Sequence, residues 1–86
     1  MQILYDKNFL KASSALPKNI QTKLAKLLEL FSYNPFHPLL HTKHLGEELA
    51  GFLSFRITRE WRVIFYFKDS NNIHLTNVGH RRDIYR

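Results

Sequence analysis

The sequence predicts an α+β fold in which an N-terminal strand and a two-helix hairpin pack on a small twisted antiparallel β-sheet, in the order β-α-α-β-β-β. Three observations predict it. Apolar residues recur at helical spacing between Ile20 and Phe31. Between Ser54 and Thr58 apolar and polar residues alternate with a period of two, and after Arg59-Glu60 the β-rich run from Trp61 to Phe67 follows. The turn-forming run Asp69-Ser70-Asn71-Asn72 then separates this β-rich stretch from a further one ending at Val78.

The elements follow in order. Ile3, Leu4 and Tyr5 suit a short first strand, and Asp6 suits the cap of a helix from Lys7 to Leu16 with Phe9, Leu10, Ala12 and Leu16 as its buried side. Pro17 suits the first turn of a second helix, where its missing N–H costs nothing. Ile20, Leu24, Leu27, Leu28 and Phe31 form the apolar face of that helix, while Lys18, Lys23 and Lys26 lie off it as a solvated face. Asn34-Pro35 and His37-Pro38 end the helix, because a residue before proline avoids the α region. Residues 35–51 connect helix to sheet, with Gly46 and Gly51 as turn positions. His37, His41 and His44 fall here, but prolines interrupt the segment and no carboxylate pattern accompanies them, so no metal site is expected. Three strands follow. In the middle one Trp61, Val63, Phe65 and Phe67 face the core, and Arg62, Ile64 and Tyr66 face away.

At 86 residues the chain is expected to be one domain spanning 1–86. With no cysteine, a disulfide framework, a cysteine-ligated zinc site and a thiol nucleophile are excluded. No apolar run approaches the roughly 18 residues of a membrane-spanning helix, and the N-terminus lacks the basic and apolar blocks of a signal peptide. A reduced, cytoplasmic setting is the expectation. The formal charge is +6, which favours a polyanion, above all nucleic acid. All six arginines lie at or after position 56, and six of the seven lysines lie before it. The guanidinium group is a rigid fork suited to phosphate, so the second half of the chain is where chemistry is expected.

Arg56 and Arg62 fall on consecutive strands, where antiparallel pairing can bring them together on the face away from the helices. Arg81 and Arg82 leave the last strand beside them. Such convergence makes a phosphate site and can stabilise charge that develops on phosphorus. The competing reading is surface ion pairing with Glu60, Asp69 and Asp83. It fits Arg62 least, since that residue interrupts an otherwise apolar strand. His80 adds a proton-transfer group. Tyr85 adds a ring that stacks on a base and a hydroxyl. Trp61 fits both core packing and base stacking, with packing the simpler account.

These residues carry a resemblance. The run Ser54-Phe55-Arg56-Ile57-Thr58-Arg59-Glu60-Trp61-Arg62-Val63-Ile64-Phe65 resembles the central hairpin of RelE/ParE-type toxins of bacterial toxin–antitoxin pairs. The ending Val78-Gly79-His80-Arg81-Arg82-Asp83-Ile84-Tyr85-Arg86 resembles the C-terminal motif of the RelE branch. The helical hairpin and the His-Pro and Leu-Ala-Gly-Phe stretches are also similar, so the resemblance spans essentially the whole chain.

The resemblance implies a RelE-like fold and a ribosome-dependent, metal-independent endoribonuclease. Such an enzyme cuts mRNA in the ribosomal A site by 2′-hydroxyl attack, leaving a 2′,3′-cyclic phosphate and a 5′-hydroxyl. Arg62 and Arg81 match the family's phosphate-binding arginines and Tyr85 its C-terminal tyrosine; His80 and Glu60 are the implied proton-transfer groups. Arg56, Arg59, Arg82, Lys43 and Trp61 complete the expected RNA-binding set, with no cofactor. Lys43 stands near the place where one branch carries a glutamate base, and Ser54 and Arg56 near the two lysines of another, so the general base is left open. The implied partners are a cognate antitoxin, mRNA on the 70S ribosome and, through the antitoxin alone, operator DNA; no membrane is implied. Two alternatives stand beside it. One is a ParE-like gyrase inhibitor without nuclease activity, a branch that generally lacks the Arg, His and Tyr set. The other is a non-catalytic RNA- or ribosome-binding module.

Overall fold

The computed structural model describes residues 1–85. Arg86, the last residue of the C-terminal motif, lies outside the described residues. The expected helical hairpin and sheet are both present. Strand β1 (Gln2–Tyr5) leads into helix α1 (Lys7–Ser14), and α2 (Lys18–Tyr33) returns beside it. Strands β2 (Lys43–His44), β3 (Leu53–Arg56), β4 (Trp61–Asp69) and β5 (Asn72–His80) follow, and a short helix α3 (Arg81–Ile84) closes the chain.

Local chemistry sets the boundaries. Asp6 precedes α1 in extended conformation, yet its side chain caps nothing. Its carboxylate instead lies 3.4 Å from His74 Nδ1 on β5. The α1 helix stops at Ser14, two residues short of the expected Leu16. Pro17 sits one position ahead of α2 rather than inside it, and its carbonyl accepts from both Ile20 and Gln21 N–H at 3.0 Å. Asn34 ends α2 in extended conformation before Pro35, and its Oδ1 accepts from Phe36 N–H at 3.0 Å. Gly51 takes φ +93°, which favours glycine, as the chain turns into β3. In the β4–β5 turn, Asp69 accepts from Asn71 N–H at 2.8 Å and from the Asn72 side-chain amide. The Asn72 amide first, and then the Asn71 N–H, hold the Asp69 carboxyl below its ordinary range, because both bond the ionised form.

The sheet order is β1-β5-β4-β3-β2. It departs from the expected antiparallel sheet in two ways. β1 runs parallel to β5 along one edge, and the two-residue β2 adds a fifth strand at the other. One face of the sheet carries the core. Phe31 of α2 is fully buried with its ring centroid 4.9 Å from that of Phe55 and 4.8 Å from that of Phe65. Phe9, Ile20, Leu24, Leu40, Val63, Ile73 and Leu75 fill the space around them. The other face is only partly open. Its C-terminal end is covered by α3, whose Ile84 sits over Gly79 at the distance where a Cβ there would make ordinary contact.

Candidate RNA-binding and catalytic site

Register places the arginines. Arg56 on β3 stands directly opposite Arg62 on β4, and Arg62 stands opposite Gly79 on β5. The three form one row on the face turned away from the core, as the alternation requires. Next to it runs a second row of Lys43, Ser54, Ile64 and Asn77. Tyr85 reaches back into this second row from the end of α3, and its hydroxyl lies 3.2 Å from Ser54 Oγ.

Arg62 is 7% exposed. Its Nη2 donates to the Arg59 carbonyl at 3.0 Å, its Nε has no partner, and no carboxylate lies within ion-pair distance among the described residues. Burying a guanidinium in this way is unfavourable, because its hydration is lost and no counter-charge replaces it. Arg56 also has no acidic partner among the described residues. Ion pairing with Glu60, Asp69 or Asp83 therefore does not account for either arginine.

The remaining sequence-predicted groups gather at the neighbouring end of β4 and β5, but not on the same face. Trp61 pairs with His80, one step from Arg62 and Gly79, so both point to the core side. The Trp61 ring packs against the core and meets His80 edge-on with centroids 5.3 Å apart. His80 Nε2 lies 3.2 Å from Glu60 Oε2, and Arg81 Nε lies 3.4 Å from the same oxygen. His80 Nδ1 accepts the Arg82 N–H at 3.2 Å and so caps α3. With Nδ1 occupied as an acceptor, the neutral ring carries its proton on Nε2, toward Glu60. The Glu60 carboxylate is thus paired with His80 and Arg81, not with Arg59 or Arg62 beside it in sequence. The Arg81 N–H also donates to the Glu60 carbonyl at 2.7 Å, which ties the C-terminal motif to the β3–β4 connection.

The site therefore has two parts. A facing pair of arginines with a tyrosine–serine couple lies on one face, and a Glu–His–Arg cluster lies at the strand ends where α3 turns over that face. Arg59 and Arg82 are exposed at the margins, and Lys43 flanks Ser54. Ser54 was not among the expected site residues; the available signal was a hydroxyl between Leu53 and Phe55, and the structure leaves it 1% exposed. Among the described residues no group of three His, Asp or Glu side chains is placed to hold a metal ion. His37 caps a 3-10 turn through Nδ1, and the His44 ring faces Phe36.

No protein-family model matches the chain, and no curated protein sequence does either. Solved structures do. YafQ from Escherichia coli superposes with a TM-score of 0.83 at 18% identity, over 99% of this chain and 98% of YafQ. A YoeB/ParE toxin from Agrobacterium tumefaciens superposes with a TM-score of 0.79 at 19% identity, over 94% of this chain and 99% of the toxin. The chain has the RelE/ParE toxin fold. A chain of the RelBE2 toxin–antitoxin complex from Mycobacterium tuberculosis shares this fold with a TM-score of 0.77 at 22% identity, over 93% and 96% of the two chains. In this RelE/ParE fold the chain places Arg62 on the sheet face, and its C-terminal turn of helix folds back over that face.

Proposed function

We propose that this protein is the toxin of a toxin–antitoxin pair and an endoribonuclease that cuts mRNA in the ribosomal A site without a metal ion. The observation that carries the reading is the buried guanidinium of Arg62, which among the described residues has no counter-charge and an unpartnered Nε, opposite a second arginine without an ion pair among them. A phosphodiester supplies the missing counter-charge and the missing hydrogen-bond acceptor together.

In the proposed reaction the 2′-oxygen bonds to the adjacent phosphorus as the bond to the 5′-oxygen breaks. Arg62 and Arg81 stabilise the charge gathering on the phosphoryl oxygens. Glu60 takes the 2′-hydroxyl proton, His80 holds the Glu60 carboxylate in place through its Nε2–H, and the departing 5′-oxygen takes a proton from water. The His80 assignment follows from the tautomer, since Nδ1 is already committed to the Arg82 N–H. Tyr85 stacks on a base, held upright by its bond to Ser54. Arg56, Arg59, Arg82 and Lys43 hold the backbone, while Trp61 acts by fixing the His80 ring.

The partner is an antitoxin whose chain is acidic or amphipathic, matching a surface of +6. The apolar groove between α1 and α2, about 300 Å³ and lined by Tyr5, Leu10, Ala25 and Leu28, supports a helical or extended segment of that chain. Unregulated expression in a bacterial host tests the role. Growth arrest that is abolished by Arg62→Ala, with the variant folded at wild-type level, is the expected result. Undisturbed growth under wild-type expression overturns it.

A further inference from the structure

At the β3 edge, beyond the short β2 strand, lies a cavity of about 180 Å³ unrelated to the Glu60 cluster. Lys23 from α2, His41 from the connecting segment, Arg56 from the end of β3 and Arg59 from the β3–β4 connection line it, with Thr58 and Leu39 completing the wall. None of Lys23, Arg56 and Arg59 has a carboxylate within ion-pair distance among the described residues. Three fixed positive charges and an imidazole thus share one small concavity with no counter-charge. Their mutual repulsion opposes the fold unless an anion enters. No aromatic ring other than the imidazole of His41 lines the cavity, so it offers a base no broad stacking platform, while guanidinium and ammonium donors suit an oxyanion.

Arg56 links this cavity to the sheet face, because it also stands opposite Arg62. A strand whose phosphate contacts Arg62 passes Arg56 next, and the cavity lies directly beyond. We propose that Lys23, His41, Arg56 and Arg59 form a second phosphate subsite that holds an RNA backbone phosphate away from the bond being cut. Lys23 is then a binding residue, not a member of the solvated helix face its sequence position suggests. The inference rests on the nuclease reading only for the nature of the strand at Arg62; the subsite is tested by binding alone.

The probe is a single-stranded RNA decamer with 2′-O-methyl groups throughout, which cannot be cut by 2′-hydroxyl attack. Its affinity is measured between 50 and 200 mM salt for the wild type, for Lys23→Gln/Arg59→Gln, and for Lys18→Gln/Lys26→Gln. The last pair removes the same charge from exposed positions outside the cavity. One lost phosphate contact on a single strand lowers the slope of log affinity against log salt by about 0.7. Over this salt range the wild type should therefore weaken about 2.5-fold more than the cavity variant, with the Lys18/Lys26 variant close to the wild type. A 16-base-pair RNA duplex in place of the decamer identifies the source: an equal change of slope assigns the phosphate to a folded RNA, and a change with the decamer alone assigns it to the strand being cut. Identical slopes for the two variants, or no binding of either RNA by the wild type, overturn the subsite. So does an unchanged RNA slope accompanied by lost affinity for an acidic peptide. Cleavage of an unmodified message by the wild type separates this outcome from failure of the nuclease reading, which the decamer does not probe.

Discussion

Arg56 and Arg62 stand directly opposite each other on β3 and β4, and neither has an acidic partner among the described residues. Like charges facing across a sheet destabilise it, and here one of the pair is 7% exposed with an unbonded Nε. The arrangement makes a site for an anion at the expense of the empty fold, and that trade has measurable consequences.

Replacing Arg62 with methionine keeps the aliphatic bulk and removes the charge. Relieving one buried unsatisfied donor is worth about 1 kcal/mol or more, so Arg62→Met should raise Tm by about 4–8 °C for a domain of this size while abolishing cleavage. Thermal unfolding followed by circular dichroism checks it. A lower Tm marks the guanidinium as structural.

Glu60→Gln removes the charge that faces both His80 and Arg81. The carboxylate is half-exposed, so stability should change by less than about 1 kcal/mol. If Glu60 takes the proton, single-turnover cleavage should fall by about 10²–10⁴-fold. An unchanged rate assigns Glu60 to holding α3 in place.

Tyr85 contributes a ring and a hydroxyl, and two substitutions part them. Tyr85→Phe loses the bond to Ser54, about 0.5–1.5 kcal/mol of stability, and should keep most of its substrate affinity. Tyr85→Ala also loses stacking worth about 1–3 kcal/mol per base, so its KM should rise about 5- to 150-fold. Equal KM values for the two variants place the hydroxyl, not the ring, at the substrate.

The Asp69 carboxyl titrates below its unfolded value, so it contributes stability above the ordinary carboxylate range and loses it as pH falls through the folded value. Wild type should therefore exceed Asp69→Ala in Tm at pH 7, and the gap should narrow in acid. A gap independent of pH shows that the turn does not depend on the ionised side chain.

Much of the fold was legible because its signals are local. The α2 stripe from Ile20 to Phe31 is a periodic pattern that burial then follows, and Val63 and Phe65 of β4 join the core on the side expected for them. Arg62 was legible for the same reason, as a charge interrupting an apolar alternation. What the sequence did not show depends on contacts between distant segments. The parallel pairing of Gln2–Tyr5 with Asn72–Leu75 leaves no local mark, and β2 is too short for a pattern. His80 and Arg62 were expected in one site with no face assigned to His80, and their register partners, Trp61 and Gly79, place them on opposite faces. The return of Tyr85 to Ser54 spans 31 residues and depends on α3 packing its Ile84 over Gly79. Lys23 and Arg59 share a cavity only because the N-terminal half of α2 lies beside the β3–β4 connection.

Primer extension on a reporter mRNA in a purified translation system tests the central claim most directly. Wild type, Arg62→Ala and Arg81→Ala are each added with and without ribosomes. The account predicts discrete cuts that need ribosomes and weaken at least about 10²-fold in both variants, the loss typical of removing a group that stabilises developing charge. An uncut message with the wild-type protein, or cuts that persist in both variants, contradicts it.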